Sequence, residues 1–168
     1  MNEALEQAKA IKLVIFDVDG VLTNGNMYFS SDGNEYKAFN SQDGYGLVAL
    51  MKTGVKVAII TGRQSKIVRL RAAELGIEYV YQGYSDKLLA YRELKDKLKL
   101  DDLHIAYVGD DVMDLAVMMQ VGLAIAVKNA HPLVKQQIRW RTRRKGGSGA
   151  VRDVCDFIMQ AQGTYLIK

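Results

Sequence analysis

The sequence predicts an α/β fold: a doubly wound, mostly parallel sheet with helices on both faces and a β-hairpin projecting from one end. Three observations carry that expectation. Short, β-rich apolar runs recur at Leu13–Phe16 and at residues 55–60, 78–81, 105–108 and 123–127, which is how strands buried on both faces read. Stretches of helical length and periodicity separate them, and strands alternating with helices fold as parallel crossover units. The strands are also followed by polar chemistry: Asp17 and Asp19, then Thr61-Gly62-Arg63, then Lys87 slightly further on, then Asp110, Asp111 and Asp114. Rossmann-like sheets place their ligand crevice outside the carboxyl ends of the strands, so these residues can converge from distant parts of the chain.

Each element follows in order. The first ten residues are polar and lack the apolar core of a signal segment. The first strand breaks at Asp17-Val18-Asp19-Gly20. Residues 24–40 read as a projecting hairpin, with Met27-Tyr28-Phe29 and Tyr36-Lys37-Ala38-Phe39 flanking the polar cluster Ser30-Ser31-Asp32-Gly33-Asn34. Asp43 opens a helix to about Thr53, capped by Gly54. The strand 55–60 leads to a helix over 65–75, closed by Gly76, with Val68, Ala72 and Leu75 on its inner face. After the strand 78–81, Asp86 is the N-cap of a helix from Lys87 to about Lys97, with Leu88, Tyr91 and Leu98 inward. The strand 105–108, a helix over 114–120 and the strand 123–127 come next, then a short helix opened by Pro132. Residues 138–142 alternate apolar and basic, as an edge strand does. An amphipathic helix over 150–162 and a short apolar tail, 163–168, complete the chain. Without repeat, low-complexity segment or linker, residues 1–168 read as one domain.

Composition sets bounds on function. An apolar fraction of 49% with 25% charged residues is that of an ordinary globular protein. Cys155 stands alone, which excludes a disulfide framework and a cysteine metal site. No apolar run has membrane length, so the expectation is a cytoplasmic protein with no membrane partner. The net charge is +4, and six basic residues crowd 135–145 around Trp140. That patch suits nucleic acid, a solvated edge or the attraction of a small anion. No other basic or aromatic platform accompanies it, and no nucleic-acid partner is expected.

Asp17 and Asp19 repel each other unless a cation or a shared proton compensates, and a hard, oxygen-preferring ion such as Mg²⁺ is the economical answer. A polar strand-to-turn corner is the alternative for this pair alone. The wider inventory suits phosphoryl transfer, which needs an in-line nucleophile, a proton donor for the leaving oxygen and cations over the phosphoryl oxygens. Arg63, at the rim, has the planar fork to grip a carboxylate, or is a solvated helix-start residue.

The residues DVDGVLT at 17–23, ITGR at 60–63, Lys87 and GDDVMD at 109–114 resemble, in order and in place, the four motifs of the haloacid dehalogenase superfamily. DGYGL at 43–47, GLAIAVKNAHP at 122–132 and GGSGAVRDVCD at 146–156 extend the resemblance to its sugar-acid phosphatases, from about residue 11 to 162. That resemblance implies Asp17 as the nucleophile, forming an aspartyl-phosphate, and Asp19 as general acid and then base. It implies Mg²⁺ on the Asp17 carboxylate, the Asp19 main-chain carbonyl and the Asp110 carboxylate. Thr61, Gly62, Arg63 and Lys87 would contact the substrate, with Asp111 and Asp114 in support. The implied substrate is a phosphorylated sugar acid, first an eight-carbon 3-deoxy acid 8-phosphate of lipopolysaccharide inner-core synthesis. A sialic-acid-type 9-phosphate and a non-catalytic interaction module of the same fold are the alternatives. Thr61 follows Asp17 by 44 positions and Lys87 follows Thr61 by 26, which leaves no room for the cap domain of larger relatives. In the resembling family the hairpins assemble a tetramer and the tail reaches a neighbour's site. Here the hairpin would show Met27, Tyr28, Phe29, Tyr36 and Phe39 to a partner. Arg139, Arg141 and Ala116 depart from the family pattern.

Overall fold

The computed structural model describes residues 2–165. Fifteen helices and strands, apart from short helical turns, build it among those residues. They are α1 (Asn2–Lys9), β1 (Leu13–Phe16), β2 (Tyr28–Phe29), β3 (Glu35–Tyr36), α2 (Ser41–Lys52), β4 (Lys56–Thr61), α3 (Lys66–Leu75) and β5 (Tyr79–Gln82). Then come α4 (Lys87–Leu98), β6 (Ile105–Gly109), α5 (Leu115–Met118), β7 (Leu123–Ala126), α6 (Pro132–Gln137), β8 (Trp140–Arg141) and α7 (Ala150–Ala161). Six strands form one sheet in the order β5-β4-β1-β6-β7-β8, every neighbouring pair parallel. The chain builds outward from β1 to β4 and β5, then returns to the other side of β1 at β6. That reversal beside β1 is the switch point where such sheets hold ligands.

The core explains why the strands read so plainly. Leu13, Val14, Ile15 and Phe16 are all fully buried, as are Ile60 in β4 and Ile105 to Val108 in β6. A strand with apolar neighbours on both faces has no exposed face to alternate with polar residues. At the β8 edge, Trp140 stacks on Phe157 of α7 with ring centroids 4.5 Å apart. Two of the neighbouring basic residues are engaged within the chain. Arg141 donates to the Lys135 carbonyl at 2.6 Å, while Arg144 binds the Asp153 carboxylate and the Gln42 side chain.

One helix is added to the sequence reading, and three local readings are corrected. The polar first ten residues form α1, anchored by the Gln162 amide, which donates to the carbonyls of Ala8 at 3.1 Å and Ile11 at 2.8 Å. The helix expected from Asp43 begins at Ser41, because the Asn40 side chain accepts from the amides of Gln42 and Asp43. Asp43 itself, buried, instead caps α7: its carboxylate accepts from Gly149 N at 3.3 Å and Arg152 N at 2.8 Å. The helix over 114–120 is a tight turn, Val112–Asp114, followed by the single α-helical turn of α5. Finally, Phe39 is packed against the core beneath Arg71, not offered to a partner.

The hairpin is short, pairing Tyr28 with Tyr36 and Phe29 with Glu35. Met27, Tyr28, Phe29 and Tyr36 are exposed, Phe29 and Tyr36 by more than half. Of the expected tail, Thr164 bonds back to the Met159 carbonyl and Tyr165 packs against the core. Leu166, Ile167 and Lys168 lie outside the described residues.

Candidate active site

The site begins where β1 ends. The amide of Asp17 donates to the Val108 carbonyl at 3.1 Å, so β1 is still fastened to β6 when the chain turns out of the sheet. Residues Val18–Leu22 form one wide helical turn, broken by Gly20 at φ 94°. Only glycine enters that conformation freely. A second reason for glycine is space: a Cβ here would lie 2.0 Å from Asp110 Oδ2. Thr23 closes the turn, its hydroxyl accepting from the amides of Gly20 at 3.3 Å and Gly25 at 3.2 Å. From the far end of the chain, Gly147 N donates to the Val21 carbonyl at 3.0 Å, and a Cβ on Gly146 would strike the Gly20 carbonyl. The GGSG stretch thus forms the back wall of the loop.

Three carboxylates converge here: oxygens of Asp17, Asp110 and Asp114 all lie within 4.8 Å of one another. Lys87, buried at the first position of α4, reaches between them, 2.7 Å from Asp114 Oδ1 and 3.0 Å from Asp17 Oδ1. Asp86 places it by capping α4 through the Leu88 amide. Burial opposes the charge of Lys87, but Asp17 and Asp114 override it and raise its pKa. Burial, then the charge of Asp114, pushes Asp17 up to about 6 in spite of Lys87. Burial, then Asp17 and Asp114, pushes Asp110 up to about 8. One lysine against three carboxylates leaves two negative charges uncompensated, which is the deficit a divalent cation fills.

The hydrogen bonds separate the three acids. Asp114, with no exposed surface, spends both oxygens on the protein: Oδ1 accepts from Lys87 and from the Tyr107 hydroxyl at 2.7 Å, Oδ2 from the amides of Asp110 at 2.9 Å and Asp111 at 3.1 Å. It has little left for an ion. Asp17 Oδ1 and Asp110 Oδ1 are the reverse: both are buried, Asp110 Oδ1 has no hydrogen-bond partner among the described residues, and Asp17 Oδ1 meets only the Lys87 ammonium, at 3.0 Å. Buried carboxylate oxygens are seldom left so. This donor set fits a hard, oxygen-seeking divalent cation such as Mg²⁺ held by Asp17 and Asp110, with Asp114 orienting Lys87 behind them.

The remaining candidates take clear places. Thr61 is buried at the end of β4, next to Gly62, and Arg63 stands half-exposed at the rim. Asp111 is exposed and caps the 112–114 turn through the Val112 amide at 2.7 Å. The Asp19 carboxylate lies outside the three-acid cluster, 2.5 Å from Lys37 Nζ and 3.8 Å from Arg63 Nε. Lys37 and Tyr107 touch these residues and were passed over by motif reading, while Thr23 stood in the first motif without a role. The only available signal for Tyr107 was a polar-tipped aromatic inside an otherwise apolar run.

The sheet order, the acid-bearing loop after β1 and the lysine opposite it define a hydrolase site of one family. A family profile described as haloacid dehalogenase-like hydrolase matches residues 77–152, and full-length relatives extend the match across the chain. The chain belongs to the haloacid dehalogenase-like hydrolases. It is 50% identical, over 96% of its length and 86% of the relative's, to the 3-deoxy-D-manno-octulosonate 8-phosphate phosphatase KdsC of Yersinia pestis. The crystal structure of the Yersinia pestis phosphatase superposes with a TM-score of 0.96 at 49% identity, covering 98% of this chain and 89% of that one. The Moraxella catarrhalis 3-deoxy-D-manno-octulosonate 8-phosphate phosphatase, in complex with magnesium ion, phosphate ion and KDO, gives a TM-score of 0.96 at 45% identity, covering 98% of this chain and 95% of that one.

Proposed function

We propose that this protein is a Mg²⁺-dependent phosphatase that hydrolyses 3-deoxy-D-manno-octulosonate 8-phosphate to the free sugar acid and phosphate. The observation that carries the reading is the buried Asp110 oxygen without a hydrogen-bond partner among the described residues, beside an Asp17 oxygen met only by the Lys87 ammonium. That arrangement suits a cation and a phosphoryl group together, and the named activity of the relatives supplies the sugar acid.

In this reading Asp17 attacks phosphorus in line and becomes the aspartyl-phosphate. Asp19 gives its proton to the leaving sugar oxygen, a poor leaving group that needs one. It then takes a proton from the water that releases phosphate from Asp17. Lys87, fixed by Asp114 and Tyr107, balances the charge of the nucleophile and of the transferring group. Thr61 and the Gly62 main chain face the phosphoryl oxygens, and Arg63 meets the sugar-acid carboxylate at the rim. When bound, Mg²⁺ supplies charge stabilisation, held by the Asp17 and Asp110 carboxylates and the Asp19 carbonyl.

Between Asp17 and Thr61 the described chain holds only the turn at Val18–Leu22, the hairpin, α2 and β4, and between Thr61 and Lys87 only α3 and β5. We read residues 1–168 as one capless domain whose site is completed by assembly. The exposed Met27, Tyr28, Phe29 and Tyr36 support a homo-oligomer, a tetramer by the family resemblance. A cytoplasmic location and a place in lipopolysaccharide inner-core synthesis belong to the same proposal. The test is phosphate release from a panel of sugar-acid phosphates with and without Mg²⁺. The 8-phosphate of the eight-carbon 3-deoxy acid should lead the panel, and a sialic-acid-type 9-phosphate in first place would overturn the assignment.

A further inference from the structure

We propose that Lys37 is a positioning residue for Asp19, and that through it the seating of the hairpin sets the place of the catalytic acid. The proposal rests on the reading of Asp19 as proton donor. Lys37 follows β3 at the base of the hairpin, and its side chain is only 2% exposed. Lysine is almost never buried unless it is paired. Its Nζ lies 2.5 Å from Asp19 Oδ1 and 3.3 Å from Glu35 Oε1. Glu35 in turn accepts from Arg63 at 3.2 Å and, on its other oxygen, from the Ser65 hydroxyl at 2.7 Å. Ser65 is also the N-cap of α3.

The two oxygens of Asp19 are therefore approached from two separate elements: Lys37 from the hairpin and Arg63, at 3.8 Å, from the end of β4. Glu35 ties both cations together and ties the hairpin to α3. A two-pair ladder does not need a buried lysine for its own sake, and a methionine would fill the same volume. What the charge adds is a fixed partner for the Asp19 carboxylate, whose side chain is only 16% exposed. With Oδ1 fixed by Lys37, Asp19 is aimed before the substrate arrives, and the proton given to the leaving oxygen is the one carried on the other oxygen, Oδ2, so the orientation is not lost with each turnover.

The experiment compares Lys37→Met and Lys37→Arg with the wild-type chain on two kinds of phosphate ester. An alkyl ester, such as the sugar-acid phosphate, needs its leaving oxygen protonated, whereas p-nitrophenyl phosphate releases a stable anion. Lys37→Met should lower kcat on the alkyl ester by about 10²-fold, with KM changed by only about threefold, and lower it on the aryl ester by about tenfold less. Lys37→Arg should recover a large part of the loss. On an Asp19→Asn background, Lys37→Met should cost less than about twofold, since both act through one group. Equal losses on the two esters, or losses at the two positions that multiply, would overturn the proposal. The comparison runs on any alkyl phosphate the wild-type chain accepts. A wild-type chain inert toward sugar-acid phosphates but active on another alkyl ester defeats the substrate assignment and leaves this test standing.

Discussion

Replacing Gly20 by alanine should separate the metal site from the rest of the fold. Two costs arise at this position. The backbone sits at φ 94°, and an L-residue in the left-handed region costs about 1–2 kcal/mol. The new methyl would lie 2.0 Å from Asp110 Oδ2 and 2.5 Å from its carboxyl carbon, so the Asp110 side chain must retreat by about 1 Å or more to reach ordinary contact. A shift of that size at a reacting centre costs on the order of 10²-fold in turnover, and disturbing a ligand's setting weakens metal binding by about 10–100-fold. Gly54 provides the control. It has nearly the same φ, 95°, yet a Cβ there would meet nothing within 4 Å. Gly54→Ala therefore carries the backbone cost alone. The assay is a Mg²⁺ titration of steady-state phosphate release for both variants, with thermal melts in parallel. Both should melt several degrees below the parent, about 4 °C or less per kcal/mol for a chain of this size. Only Gly20→Ala should need about ten times more Mg²⁺ or above and turn over about 10²-fold slower. A Gly20→Ala variant with the Mg²⁺ dependence of Gly54→Ala would refute the packing of Asp110 against the loop.

The stability of the metal-free chain should fall as pH rises. Asp17, raised to about 6, and Asp110, raised to about 8, keep protons in the folded state that the unfolded chain has released. Their contribution therefore favours folding least above about pH 8. Mg²⁺ needs both acids ionised, so the gain in Tm on adding Mg²⁺ should be larger at about pH 8.5 than at about pH 5.5, and an equal gain would contradict the account. Arg63→Lys should slow sugar-acid phosphates far more than p-nitrophenyl phosphate, because a lysine cannot match the bidentate fork. Matching losses would assign Arg63 to the phosphate or to the fold through its bonds to Glu35 and Asp19. The exposed hairpin should hold the assembly together, so Phe29→Asp should shift the sedimentation coefficient toward the monomer. A parent chain that is fully active and monomeric at micromolar concentration would remove the oligomer from the proposal.

The sheet was legible because burial on both faces leaves a plain signature. Leu13–Phe16 has no polar residue to confuse the reading, and the acids that follow it mark the strand's end. Lys87 was legible because Asp86 announces a helix start just before it. The parts that escaped are those whose meaning is set by partners far away in the chain. Asp43 looks like a helix-opening residue, yet it caps α7 more than a hundred positions later. Gly146 and Gly147 look like flexible loop, yet they are the surface against which Gly20 and Val21 are pressed. Tyr107 hides in a strand as one more large side chain, and only the fold turns its hydroxyl onto Asp114. Lys37 reads as the basic position of an exposed hairpin strand until the hairpin folds down and buries it against Asp19. In each case the local chemistry is ordinary, and tertiary placement assigns its partner.

The account stands or falls on Asp17 as a nucleophile. Asp17→Asn keeps the shape of the side chain, with the main-chain bond to Val108 intact, but an amide neither attacks phosphorus nor holds a hard cation as a carboxylate does. The direct measurement is phosphate release by the folded variant at saturating Mg²⁺, together with mass analysis of the acid-quenched parent enzyme during turnover. The account predicts a loss of several orders of magnitude in the variant, and in the parent a phosphoryl adduct on Asp17. Near-normal turnover by Asp17→Asn, or an adduct on any other residue, would contradict it.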